Sequence, residues 1–165
     1  MAKRMGPWWG NIIGIVIFVA GLIRGIFSIY YYDRGLARFK RNKYEKALVA
    51  FNKSIKLYPH VYVYMARGNT YSWMGENEKA LADYNKVIEF DPEYAAVYVA
   101  RGNVYHKLGE REKALASYNW AIELDPELVE AYYNRGLEYE DVGQVEKAIV
   151  DFEQVLELTD IGMVH

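Results

Sequence analysis

One pattern occurs four times between residues 28 and 160, and it dictates what this chain can fold into. Aligned, the copies read YYYDRGLARFKRNKYEKALVAFNKSIKLYP, YVYMARGNTYSWMGENEKALADYNKVIEFDP, AVYVARGNVYHKLGEREKALASYNWAIELDP and EAYYNRGLEYEDVGQVEKAIVDFEQVLELTD. Gly35, Gly68, Gly102 and Gly136 are spaced by 33, 34 and 34 residues, as are Ala47, Ala80, Ala114 and Ala148, and Phe51, Tyr84, Tyr118 and Phe152. A period near 34 is the length of one helix pair that buries its apolar face only by stacking on the next. Each copy has an apolar and aromatic helical half before a turn at Gly75, Gly109 or Gly143. A second half runs from the EKA motif to Pro59, Pro92 or Pro126. Glycine and alanine recur where the two axes come closest, since a larger side chain would push them apart. Proline lacks a backbone donor and ends the second helix.

These residues resemble the tetratricopeptide repeat family: an aromatic, glycine four positions on, tyrosine three beyond that (Tyr71, Tyr105, Tyr139), then alanine, an aromatic and proline. The resemblance covers about residues 28 to 160. The first copy departs from it, being one residue short, with Asn42 for the turn glycine and Arg38 for the tyrosine; the last lacks its proline. Membership implies a right-handed superhelix whose inner surface is lined mainly by the first helix of each pair. By that analogy the groove includes Tyr32, Leu36, Phe39, Met65, Asn69, Trp73, Val99, Asn103, His106, Tyr133 and Leu137. Members that clamp the carboxylate of chaperone tails use lysine and arginine beside asparagine. Around Asn69 and Asn103 the matching cations are not expected, so the tyrosine-rich groove is read as suiting an extended or helical peptide. About half of these rings are expected only to pack the superhelix.

Ahead of the repeats lies WWGNIIGIVIFVAGLIRG, residues 8 to 25. Trp8 to Ile23 gives about 24 Å of helix, short of a roughly 30 Å hydrocarbon layer, whereas continuing to Ile29 gives about 33 Å. Arg24 then lies near one end, within snorkelling reach, and Trp8, Trp9, Tyr30, Tyr31 and Tyr32 fall where interfacial aromatics belong. A cleaved signal peptide is the alternative, with Lys3 and Arg4 as its charged start, but no A-x-A-like site follows Ile23. Gly10, Gly14, Gly21 and Gly25 share one helical face with Ile17 beside them and Arg24 at its edge. That face is read as a contact for other membrane helices, which pack closely over small residues; glycine is also simply common in such helices.

The expected fold is therefore all-α: a single transmembrane helix followed by a right-handed superhelix of four helix pairs. Residues 1–29 form the tail and membrane helix. Residues 30–160 form the repeats, at about 28–60, 61–94, 95–128 and 129–160, and residues 161–165 a short C-terminal tail. With no capping helix after the last pair, Ile149 and Leu156 are expected to stay exposed as a self-association or partner surface.

Charge divides along the same line. Residues 1–60 hold eleven Lys/Arg against two acids, and residues 61–165 hold nine against twenty, giving about +9 and −11. The basic part suits anionic lipid headgroups, while the acidic remainder repels phosphate backbones and disfavours nucleic acid. The cations on either side of the helix place the repeats on the cytoplasmic side. The chain has no cysteine, and His60, His106 and His165 have no partner at catalytic or metal spacing. No enzyme activity, cofactor or metal is expected. Arg34, Arg67, Arg101 and Arg135 precede each repeat glycine. A feature copied in every repeat usually serves stacking, and Asp91 and Asp125 are the acids expected to pair with them; a ladder of cations awaiting an acidic ligand is the other reading.

These features point to a membrane-anchored interaction scaffold whose partners are a membrane protein complex or a peptide segment, together with lipid. That architecture is similar to tetratricopeptide assembly factors for photosystem I in cyanobacteria and chloroplasts. The alternative is an anchored import receptor, whose basic amphipathic presequences would suit the acidic half.

Overall fold

The computed structural model describes residues 8–162, with side chains described for 14–160. Lys3, Arg4 and His165, the side chains of Trp8 and Trp9, and the surroundings of Gly10 lie outside these limits. Among the described residues there are eight helices and no strand: α1 (Trp8–Phe39), α2 (Tyr44–Leu57), α3 (Val61–Trp73), α4 (Asn77–Phe90), α5 (Ala95–Lys107), α6 (Arg111–Leu124), α7 (Val129–Asp141) and α8 (Val145–Gly162). They fall into two compact units, one up to Val63 and one from Tyr64 on.

In the first unit, the apolar N-terminal run and the first helix of the first repeat are one unbroken helix, α1. It is long and apolar enough to cross a membrane by length and composition, and its apolar stretch is almost wholly unburied. Further along, α2 packs against it. The two helices are tied at Ser28 and Ser54, both buried. Ser54 Oγ lies 2.9 Å from the Ser28 carbonyl, Ser28 Oγ 3.0 Å from the Ser54 carbonyl, and the two hydroxyls 2.9 Å apart. Two small hydroxyl side chains let the backbones approach and satisfy each other where longer ones would separate them. Tyr32 stands against Phe51 and His60, and Tyr31 lies beneath the Lys53 ammonium. Of the three tyrosines read as interfacial, only Tyr30 is exposed.

In the second unit, α5 packs on α6 and α7 on α8, and the pairs stack through α4 on α5 and α6 on α7. Its core is small and aliphatic, with Val87, Val97, Val104, Ala114, Ala121 and Ala131 fully buried around the rings of Tyr84 and Tyr118. Gly75, Gly109 and Gly143 close the intra-pair turns at φ of +77°, +72° and +72°, and Asn42 takes the same left-handed role in the first unit at +54°. Asparagine tolerates that region better than other residues with a Cβ, which explains the odd turn of the first copy.

The repeat glycines make the closest approach. A Cβ on Gly102 would lie 2.4 Å from Tyr118 Cε1, and one on Gly136 2.7 Å from Phe152 Cε1. Gly21, by contrast, has nothing within 4 Å. Alanine normally favours a helix over glycine by about 1 kcal/mol, so the sign of each substitution is decided by whether the ring can yield. Tyr118 is buried and held through its hydroxyl, whereas Phe152 is half-buried and has none. Gly102→Ala is predicted to lower stability by about 1–3 kcal/mol, Gly136→Ala by less, and Gly21→Ala not at all, as read by thermal melting of the full chain in detergent.

Candidate functional site

The second unit contains a cleft of about 550 Å³. Met65, Asn69 and Trp73 on α3, Val99, Asn103 and His106 on α5, and Leu137 on α7 line it, all by way of the first helices of their pairs. Tyr133 does not line it; its ring packs on Phe152 with centroids 6.1 Å apart, and about half of its surface is exposed. Tyr32, Leu36 and Phe39 belong to the first unit, where Tyr32 is in the α1/α2 packing and Phe39 meets Tyr44 at 5.5 Å. A separate cavity of about 540 Å³ in the first unit runs along α1 beside the end of α2, lined by Phe18, Gly21, Leu22, Arg24, Gly25, Leu57 and Tyr58. A Cβ added at Gly14, Gly21 or Gly25 meets nothing within 4 Å, and Ile17 is exposed, so among the described residues nothing packs closely on this face of α1. On α8, Ile149 and Leu156 are 49% and 63% exposed.

The cleft is polar along its floor. The Tyr84 hydroxyl donates to Asn69 Oδ1 at 2.8 Å, and the Tyr118 hydroxyl to Asn103 Oδ1 at 2.8 Å. Asn134 Nδ2 donates to the same Asn103 oxygen at 3.1 Å. With both amide oxygens occupied, the two asparagines present their Nδ2 donors to whatever enters, which suits carbonyl oxygens of a peptide backbone. At one end Glu138, only 2% exposed, is bonded by His106 Nδ1 and by Arg111 Nε at 3.1 Å. A carboxylate so buried needs these partners, since an unpaired buried charge is strongly unfavourable. On the other wall Lys107 Nζ reaches Ser72 Oγ at 3.1 Å.

Glu138 and Lys107 were not among the residues expected in the groove. Glu138 stands where the other copies carry Ala37, Thr70 and Val104, and a column-by-column comparison would have exposed it. Lys107 shares the column of Trp73, one position on from His106. The asparagines therefore do have one cation nearby. It is balanced by Glu130 and Glu138 in the same lining.

The arginine ladder is not one feature. Arg67 holds Asp83 through Nε–Oδ2 at 2.7 Å and Nη2–Oδ1 at 2.6 Å. Arg135 holds Asp151 at 2.9 and 2.7 Å and adds Asn119 at 2.7 Å. Its hydrogen bonds to Asp151 raise the Arg135 pKa above the ordinary guanidinium value. The expected partners Asp91 and Asp125 do something else: each accepts the backbone N–H two residues on, from Glu93 at 3.2 Å and Glu127 at 3.0 Å, closing the turn after the helix. Arg34 instead meets the Tyr30 hydroxyl at 2.7 Å, and Arg101 meets Ser117 Oγ at 3.3 Å. Among the described residues no group of three or more His, Cys, Asp or Glu side chains is placed to hold a metal.

Comparison with known proteins agrees with this geometry. Family profiles described as TPR repeat match residues 68–109 and 102–143, and profiles described as tetratricopeptide repeat match 28–61 and 129–158. The chain belongs to the tetratricopeptide repeat family. Among solved structures, that of MamA is 24% identical with a TM-score of 0.77, covering 84% of this chain and 81% of that one. YrrB, described as a TPR protein with an unusual peptide-binding site, is 20% identical with a TM-score of 0.68, over 82% of this chain and 71% of its own. The first TPR of Spaghetti (RPAP3), bound to an HSP90 peptide, is 22% identical with a TM-score of 0.68, over 72% and 95%. At these identities the likeness is one of fold. No curated protein sequence matches the chain.

Burial raises the Tyr84 and Tyr118 pKa values well above the ordinary tyrosine value, Glu138 and Glu130 adding to the effect at Tyr118. Since the unfolded chain ionises first, near pH 10, both hydroxyls contribute stability below that pH that is lost as pH rises beyond it. Tyr118→Phe is predicted to cost about 0.5–1.5 kcal/mol at neutral pH and to flatten the fall in melting temperature above pH 10.

Proposed function

We propose that this chain is a membrane-anchored scaffold that captures a protein segment in the α3/α5/α7 cleft and helps assemble or stabilise a membrane protein complex. The observation that carries the reading is α1 itself, a single helix whose N-terminal part exposes Ile15, Val16, Ile17, Phe18 and Leu22 and whose C-terminal part is the first helix of a repeat. In water such an exposed apolar run is costly, and in lipid it is the solvent-facing surface. The glycine face of α1, with Gly14, Gly21 and Gly25 bare, suits close approach of another membrane helix. The basic excess of residues 1–60 favours the cytoplasmic side for the repeats and contact with anionic headgroups. The amide donors of Asn69 and Asn103 supply backbone recognition, and Met65, Trp73 and Leu137 supply apolar contact. The exposed Ile149 and Leu156 of α8 offer a surface for self-association or for a further partner.

The second reading is an anchored receptor for basic amphipathic presequences, favoured by the acidic excess of residues 61–165 and by Glu130 and Glu138 in the cleft. It differs in the number of partners. With a photo-crosslinking residue at the exposed Trp73 of the cleft and another at Gly21 in the full chain in membranes, the scaffold predicts that both capture subunits of one stoichiometric membrane complex. A receptor yields many precursor peptides at Trp73. Extraction of the intact chain by alkaline carbonate would remove the anchoring common to both.

A further inference from the structure

The four copies of the repeat act as controls for one another. Where a side chain recurs in every copy, stacking explains it; where one copy differs, another cause is needed. In the second and fourth copies the repeat arginine grips a carboxylate sixteen residues on, with both Nε and Nη2, and Asp83 and Asp151 are each nearly buried in that grip. The first copy has Arg34 with Ala50 in that column and turns to the Tyr30 hydroxyl instead, and the third has Arg101 with Ser117 in place of the acid.

Serine supplies one oxygen where the fork of a guanidinium matches two. Ser117 Oγ accepts from Arg101 Nε at 3.3 Å and donates to the Lys113 carbonyl at 2.8 Å. The Nη1 and Nη2 groups of Arg101 have no hydrogen-bond acceptor among the described residues. Asn85, which stands in the column of the Asn119 that Arg135 reaches, is exposed and makes no bond to it. The guanidinium lies over the Tyr98 ring at 5.1 Å, and Arg101 is partly exposed.

The same copy departs at a second position. Trp120 is 54% exposed, in a column that holds Lys53, Lys86 and Gln154 elsewhere. It follows Ser117 by three residues on α6, so the two side chains are neighbours on the helix surface. One copy thus combines an arginine without its carboxylate and a solvent-facing tryptophan, both among the residue types enriched where binding energy concentrates. Neither lines the cleft.

We infer that Arg101 and Trp120 form a second docking site, on the α5/α6 pair, for a partner segment that presents one aspartate or glutamate beside an apolar side chain. The partner carboxylate approaches from solvent and accepts from the Arg101 Nη groups that Ser117 leaves without an acceptor, and the apolar residue covers the Trp120 indole. The occupant carries a single carboxylate and not an acidic run, because the net charge of about −11 on residues 61–165 repels accumulated negative charge.

Ser117→Asp tests this directly, since it restores the internal carboxylate. The probe is an acetylated and amidated heptapeptide, Gly-Ser-Leu-Glu-Phe-Ser-Gly, titrated calorimetrically into the full-length chain in nanodiscs, with the glutamine isostere as control. The glutamate peptide is expected to bind at least about tenfold more tightly than the glutamine one, and Arg101→Gln and Trp120→Ala to weaken it by a similar factor. Ser117→Asp is expected to raise the melting temperature while abolishing binding. Equal binding of the two peptides, binding by Ser117→Asp at the original strength, or no binding of either peptide would each overturn the proposal. Arg101→Gln and Trp120→Ala alter surface side chains and keep the test decisive should Ser117→Asp fold poorly. Trp73→Ala, at an exposed position in the cleft, should leave this binding intact, which separates the site from the scaffold reading.

Discussion

The contact on which the rest depends is a glycine with no side chain against an aromatic ring on the following helix. Gly35 meets Phe51, Gly68 Tyr84, Gly102 Tyr118 and Gly136 Phe152, each so closely that a Cβ would overlap the ring. That approach fixes the separation of the two axes in a pair and buries the ring edge-on, so that aliphatic residues as small as Ala114 and Ala121 complete the core. In the middle pairs the ring is a tyrosine, and its hydroxyl emerges on the far side of the contact to bond Asn69 or Asn103. The packing contact and the cleft are consequently one arrangement. The glycine admits the ring, the ring carries the hydroxyl, and the hydroxyl turns the asparagine donor outward.

Specificity lies in the departures from that shared frame. A residue present in all four copies is answerable to stacking, whereas Glu138, Lys107, Asn134, Ser117 and Trp120 each replace something different in the other copies. Three of these meet in the cleft, where Glu138 draws in His106 and Arg111, and Asn134 reinforces Asn103. The remaining two meet on α6. Two kinds of polar grouping result: a satisfied network that holds one end of the cleft rigid, and an arginine fork left with spare donors.

Most of the fold was legible because it is periodic. Spacing of Gly68, Gly102 and Gly136 gave the helix pairs and their turns, and even the irregular Asn42 fell where a left-handed residue was required. The site was less legible because groove residues were assigned by family analogy, which works only where the first helix faces inward. Met65, Asn69, Val99 and Asn103 line the cleft, whereas Tyr133 has its ring against Phe152. Arginine partners were missed for a different reason. Asp91 and Asp125 are conspicuous beside proline and are taken by their own turns, while Asp83 and Asp151 sit inside amphipathic helices as apparent surface charges. Only three-dimensional proximity, one helix across and sixteen residues away, distinguishes them.

On the anchored reading proposed above, the junction within α1 couples insertion of the apolar run to folding of the first repeat. No turn, proline or left-handed residue interrupts the helix between Trp8 and Phe39, so its apolar and repeat parts cannot reorient independently without breaking backbone hydrogen bonds. The Ser28/Ser54 tie and the Gly35/Phe51 contact fasten α2 to the C-terminal part of that helix along more than one turn. Tilt or rotation of the apolar part, set by whatever occupies the bare face at Gly21 and Gly25, must therefore carry the α1/α2 pair with it. A flexible tether would only raise local concentration. A helix without a joint also fixes orientation, and this couples a choice of partner along α1 to the direction in which the first repeat faces.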